Sequence, residues 1–171
     1  MKRLILFRHA KSSWADPDLD DHDRPLNQRG RLAAPLMGAW LADKGFTPDH
    51  ALLSDSARTR ETWARAQGAF AAPPPATELA ALYHADPATM LESLRAAPDR
   101  AETVILIGHQ PGIGSFCRKL ASADTPANCA RAFDKFPTAA VAVLDFPIDA
   151  WPELAFGAGR FHSFAAPREL V

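Results

Sequence analysis

The chain has 171 residues, close to one ordinary domain, and its 47% hydrophobic content can fill a core for a single domain spanning residues 1–171. Lys and Arg total 19 against 20 Asp and Glu, a formal charge of −1 with the basic residues scattered, which excludes the positive excess used to grip nucleic acid or anionic membranes. Two cysteines, Cys117 and Cys129, fit a reducing cytoplasm rather than a disulfide scaffold, match no zinc spacing and read as buried apolar residues.

The first apolar run, Leu4–Phe7, is interrupted by Arg8, too short for a signal peptide's core of about 7–15 residues. Nothing approaches the roughly 18 apolar residues of a membrane span, so a soluble, cytoplasmic protein with no membrane partner is expected. Leu4–Phe7 reads as the first strand. Residues 28–44 read as a helix with Leu32, Leu36, Met37, Trp40 and Leu41 on one face, kinked at Pro35 and stopped by Gly45. Residues 51–54 read as a strand and 56–69 as a helix, followed by "FAAPPPAT", a stiff connector. Asp86 and Pro87 are a good N-cap and first residue for a helix reaching about Ala97. "TVILIG", 103–108, is the clearest buried strand; a helix over 113–121 and strands within 139–146 and 154–164 follow. Strands alternating with helices argue an α/β domain with a largely parallel sheet.

Two of these strands end alike, in Arg8-His9 and in Gly108-His109. Ligands of parallel α/β sheets bind beyond the carboxyl ends of strands, so the two histidines can converge on one pocket. Either one alone reads equally well as a structural or exposed residue. After His9, Ala10, Lys11, Ser12 and Ser13 are small or polar, a loop that leaves room. In "LLSDSARTRETW", residues 52–63, a helix starting near Ser56 puts Arg58 in its first turn, where free N–H groups and the helix dipole favour an anion. Arg60 reads as a solvated residue. Two Arg, two His and free backbone N–H groups around one point describe a phosphoryl site.

"FRHA", "RPLNQRG", "LLSDSARTRETW" and "LIGHQPGIG", in this order, resemble the histidine phosphatase superfamily of phosphoglycerate mutase-like fold. "LYHADP" and the closing "PREL" are similar to its SixA-type phosphohistidine phosphatases, and the resemblance spans essentially the whole chain. It implies a three-layer sandwich with helices on both faces of the sheet. It implies His9 as nucleophile, with Arg8, Arg58 and His109 holding the phosphoryl oxygens and Ser12 and Gln110 as further substrate contacts. No metal or cofactor is implied. The expected activity is a metal-independent phosphatase with a covalent phosphohistidine intermediate, acting on a phosphohistidine-carrying signalling protein. The alternatives are a phosphatase of small phosphomonoesters and a non-catalytic phosphate-binding module, for which no nucleophile is needed.

The chain departs from the family pattern in places. Ala10-Lys11 stand where many members have Gly-Glu, and Gln110 stands where the second branch has an acidic proton donor, which argues against that branch. Glu78, His84 and Asp86 occupy the stretch where mutase-like members carry a Glu donor, and the general acid is left open among them. "DPDLDDHD", 16–23, starts like a calcium loop, but Asp21 replaces the required Gly, Pro17 intrudes and Asn27 ends it. It reads as a solvated acidic loop beside the pocket, with His22 exposed. "GHQPGIGS" lacks the Lys-Ser/Thr of a P-loop. His50 and His162 read as structural or surface residues, and Trp14 as core packing.

Overall fold

The inner strands are apolar at consecutive rather than alternate positions because both of their faces are covered. In the computed structural model, which describes residues 1–171, β1 (Lys2–Arg8) sends Leu4 and Leu6 to one face and Ile5 and Phe7 to the other, all fully buried. The helix α1 (Gln28–Asp43), strand β2 (His50–Ser54), helix α2 (Ala57–Ala66) and strand β3 (Ala76–Leu79) follow. Next come α3 (Pro87–Arg95), β4 (Thr103–Gly108), α4 (Gly112–Leu120), the short α5 (Ala127–Ala130), β5 (Val141–Phe146) and β6 (Arg160–Ala165). They form one six-stranded sheet of order β3-β2-β4-β1-β5-β6. Only β5 runs against its neighbours; β3, β2, β4 and β1 are parallel. Met37 and Leu41 of α1 and Trp63 of α2 pack on the Ile5 face, while Leu94 of α3, Phe116 of α4 and Cys129 of α5 pack on the Leu4 face. This is the three-layer α/β sandwich.

The helices α1, α2 and α3 each start after a residue whose side chain satisfies a free N–H. Asn27 accepts from Gly30 N at 2.9 Å, Ser56 from Thr59 N, and Asp86 from Thr89 N at 2.8 Å with Pro87 just inside. Gly45, at φ +78°, ends α1. The long helix departs from expectation in two ways. It runs unbroken through Pro35, whose ring faces solvent. Its buried stripe is Gly30, Ala34, Met37, Gly38 and Leu41, whereas Leu32 is 68% exposed. The small residues decide this: a Cβ on Gly38 would come within 2.3 Å of Ala66 O, so the glycine face is the one that meets α2.

β3 forms where only a connector was expected. It is an exposed edge strand, and its Ala-Thr-Glu-Leu sequence carries no apolar run to reveal it. β6 starts at Arg160, later than expected, after a turn through Gly157 at φ +79°. No helix is long and apolar enough to cross a membrane. Cys117 and Cys129 are buried and unpaired.

Candidate active site

Strand order brings the two histidines together. β4 lies beside β1 with Arg8 opposite Gly108, so His9 and His109 leave adjacent strand ends at the same level. His9 N donates to Gly108 O at 3.0 Å, and the two imidazole centroids are 5.2 Å apart. β2, on the far side of β4, ends at Ser54, and α2 starts just beyond it. Its first turn delivers Arg58, whose side chain is 3% exposed, into the same pocket. The pocket measures about 290 Å³ and is lined by Arg8, His9, Arg58 and His109 together with residues from the loops after β1 and β4.

His9 is oriented by its own loop. Nδ1 lies 2.7 Å from the Ala10 carbonyl, so Nδ1 carries the proton and donates it there. Nε2 makes no protein hydrogen bond and is open to the pocket with its lone pair free. The Ala10 amide is fixed in turn, donating to Thr62 Oγ1 at 2.9 Å, while the Thr62 hydroxyl donates to Arg58 O at 2.7 Å. The nucleophile loop and the Arg58 turn are thus one unit. Burial lowers the His9 pKa to about 3; the Ala10 carbonyl opposes this, and the Arg58, Arg8 and Arg24 charges add to it. The ring is a neutral imidazole at physiological pH. Burial, then the neighbouring His9 and Arg58, lowers His109 to about 2, and its Nε2 lies 3.0 Å from Ser54 Oγ.

Four cations, Arg8, Lys11, Arg24 and Arg58, line the pocket against one carboxylate, Asp21. Arg8 donates to Phe136 O at 2.9 Å, and burial followed by the Arg58 charge lowers its pKa. Of the five buried side-chain N or O atoms without a hydrogen-bond partner, three belong to pocket residues: Arg8 Nε, Arg58 Nε and His109 Nδ1. Buried polar atoms are almost always paired, and here most of the unpaired ones belong to residues that line the pocket.

Asp21 organises this positive wall. It accepts from Arg58 Nη2 at 2.9 Å, from Arg24 Nη2 at 3.1 Å and from the Tyr83 hydroxyl, and its own carbonyl accepts from Arg58 Nη1 at 2.7 Å. Burial pulls its pKa up, but the Tyr83 and Arg58 hydrogen bonds outweigh that and hold it well below the usual carboxylate range. Arg24 is almost buried; it donates to Ser12 Oγ at 2.8 Å and stacks 3.5 Å from the centre of the Trp14 ring. Trp14 is a correction: it is 77% exposed at the pocket mouth, not in the core, because the Arg24 guanidinium offers its ring a cationic face.

Sequence reasoning missed Asp21 and Arg24. Asp21 looks like its neighbours in an acidic loop, most of which is solvated as expected. Arg24 opens "RPLNQRG", and an Arg held before Pro-Leu was the available signal. His22 is half-buried rather than exposed, because Asp55 draws its Nε2 to 2.8 Å. That contact raises its pKa.

Among the three candidate acids, only His84 lines the pocket. It stands at φ +52°, and its Nε2 is 3.1 Å from Arg58 Nη2. A guanidinium N–H can only donate, so Nε2 is the acceptor in this contact, with Asp21 Oδ2 3.6 Å from the same nitrogen. A Cβ on Gly112 would fall 2.0 Å from Ala85 O, so only glycine lets α4 start against the loop that carries His84. Glu78 and Asp86 lie outside the pocket. Glu78 points from the edge strand towards Arg60, 3.8 Å away, and Asp86 caps α3. Arg60 is exposed, as expected. Gln110 and Ser12 line the pocket, although Gln110 Oε1 is held at 2.6 Å by Gly114 N. His50 is buried on β2 against Thr77, and His162 is on the surface.

A neutral histidine with one free ring nitrogen, faced by guanidinium groups at the carboxyl ends of parallel strands, defines a phosphoryl-transfer site built on histidine. The model of the histidine phosphatase superfamily (branch 1) matches residues 4–86. The Mycobacterium tuberculosis protein Rv1276c is 37% identical over 164 residues, covering 95% of this chain and 100% of that protein. The chain belongs to the histidine phosphatase superfamily. Within it the chain is of the SixA type. A structure described as a candidate phosphohistidine phosphatase SixA from Agrobacterium tumefaciens matches at 30% identity and TM-score 0.78, covering 97% of this chain and 98% of that one. Another so described, from Nakamurella multipartitia, matches at 29% identity and TM-score 0.85, covering 97% and 96%.

Proposed function

We propose that the protein hydrolyses protein phosphohistidine through a covalent phosphoryl intermediate on His9 Nε2, without a metal. The observation that carries this reading is the His9 hydrogen bond to Ala10 O, which leaves Nε2 unprotonated, open to the pocket and beside Arg8 and Arg58. Nε2 attacks phosphorus, the new N–P bond forms, and the bond to the leaving group breaks. Arg8, Arg58 and His109 meet the charge on the non-bridging oxygens. Water then attacks phospho-His9, its N–P bond breaks, and His9 returns neutral as inorganic phosphate leaves.

The proton inventory of the pocket supports phosphohistidine over alkyl phosphates. Its one carboxyl, Asp21, is held ionised by Tyr83, Arg58 and Arg24, and His84 presents an acceptor nitrogen to Arg58. Phosphohistidine protonated on its other ring nitrogen needs little acid help, since it expels a neutral imidazole. The description of the SixA-type structures points the same way, and a phosphohistidine-carrying signalling protein is the partner class this implies. The test is to incubate the protein briefly with a labelled phosphohistidine protein, quench without acid, and look for an acid-labile phosphoenzyme. Wild type should carry label and release phosphate, and His9→Ala should do neither. Label persisting in His9→Ala refutes the nucleophile, and turnover of sugar phosphates but not of phosphohistidine refutes the substrate class.

A further inference from the structure

The catalytic pocket admits little more than a phosphorylated side chain, yet it opens sideways. Lys11 and Thr138 line both the pocket and a second groove of about 730 Å³. One wall of this groove is the outward face of α1, with Leu32 and Leu36; Phe164 and Pro167 contribute apolar surface from the other side. The exposure of Leu32, unexpected from the sequence, belongs to this groove. Around the apolar surface stand Arg29, Lys135 and Arg168, continuing the positive charge of Lys11. All four are exposed and make no ion pair or side-chain hydrogen bond. The lining has one acidic side chain, Glu169, and it is already paired with Arg131 at 2.5 Å. On a chain of net charge −1, this is a local concentration of free cations on an apolar floor.

We propose that this groove docks an acidic segment of the phosphohistidine-bearing substrate protein, one that also presents apolar side chains to Leu32 and Leu36. The inference rests on the reading that the substrate is a phosphoprotein. Two features select this occupant. The unpaired cations attract negative charge, and the apolar wall beside them favours a polypeptide with leucine-like side chains over a free polyanion. Continuity through Lys11 and Thr138 lets one chain place its phosphohistidine at His9 and its flank in the groove. Such a flank is bound equally in the ground and transition states, so it lowers KM and leaves kcat unchanged.

Docking is measured first without chemistry. The probe is an unphosphorylated, fluorescein-labelled peptide of Glu, Asp and Leu residues with a His at one end, titrated by anisotropy. Wild type should bind it, and a matched peptide with Gln for the acids should bind at least about tenfold more weakly. The double variant Arg29→Glu/Lys135→Glu should lose about tenfold or more in affinity for the acidic peptide, and added salt should do the same. Arg168→Glu should weaken it further. Aryl phosphate turnover should stay at the wild-type level in these variants, which shows that they are folded with the pocket intact. On the phosphohistidine form of the two peptides, the acidic flank should lower KM at constant kcat.

Equal affinity of wild type and double variant for the acidic peptide overturns the docking site. So does equal affinity of the two peptides, capture of anionic lipid vesicles in place of the peptide, or a dimer that the groove variants dissolve. These failures are separate from failure of the proposed function. If the acidic peptide binds as expected but its phosphohistidine is not hydrolysed, the substrate reading falls. If both phosphopeptides are hydrolysed equally well, docking falls and the substrate reading stands.

Discussion

Arg58 and Arg60 sit two positions apart on α2, and their substitutions should separate sharply. The Arg58 side chain is 3% exposed, lines the pocket and donates to Asp21 at 2.9 Å. The Arg60 side chain is 52% exposed and reaches only Glu78, at 3.8 Å. Removing one preorganised donor from a site closed to water raises the barrier by about 2.7–4 kcal/mol, or about 10²–10³ in kcat. Arg58→Ala should lose activity on that scale. Arg58→Lys keeps the charge but not the two-pronged geometry that Asp21 grips, so it should fall between Arg58→Ala and wild type. Arg60→Ala removes an exposed pair worth roughly 0.2–1 kcal/mol of stability, far from the phosphoryl position, and should stay within about twofold of wild type. The assay is kcat/KM on a phosphohistidine protein and on an aryl phosphate, with thermal unfolding recorded for each variant, because Arg58→Ala also strips Asp21 of a buried partner. Equal and small losses for Arg58→Ala and Arg60→Ala, both variants folded, would show that Arg58 does not meet the phosphoryl group.

Burial holds His9 and His109 neutral down to about 3 and about 2 respectively, whereas unfolded imidazoles protonate near 6.5. Stability should therefore be complete above about pH 6.5 and decline as pH falls towards 3, by about 1–2 kcal/mol for each ring between pH 7.5 and 5. Denaturant unfolding at the two pH values measures this, and equal stability contradicts it. Imidazole nitrogen shifts should keep His9 neutral with its proton on Nδ1 at pH 5.5; a midpoint near 6.5 would refute that. Chelators should leave turnover intact while vanadate, which can take a five-coordinate geometry, inhibits; activity lost to a chelator and restored by a divalent ion overturns the mechanism. Finally, kcat/KM should fall steeply from phosphohistidine and aryl phosphates to alkyl phosphates. An alkoxide's conjugate acid is about as weak as water, pKa about 15.7, whereas that of imidazole is near 6.5. A flat dependence, with chemistry limiting, would reveal a proton donor, and His84 is the first residue to substitute.

What the sequence determined by itself was what local chemistry can determine. The buried strands show as runs such as "TVILIG", two helix starts as Ser56 and the Asp86-Pro87 cap, and the candidate anion-binding residues as Arg8-His9, Gly108-His109 and the first turn after Ser56. Each of these signals lies within a few neighbouring residues. Tertiary structure alone decided that β4 lies beside β1, which sets the two imidazoles 5.2 Å apart across some hundred positions of chain. It decided that one of several equivalent-looking aspartates, Asp21, turns inward, because Arg58 and Tyr83 reach it from distant segments and join Arg24 of its own loop. It also decided that α1 buries its glycine face and leaves Leu32 outside. Apolar periodicity names the residues that favour burial, but close backbone approach, here Gly38 against Ala66 and Gly30 against Lys11, selects the face that is buried.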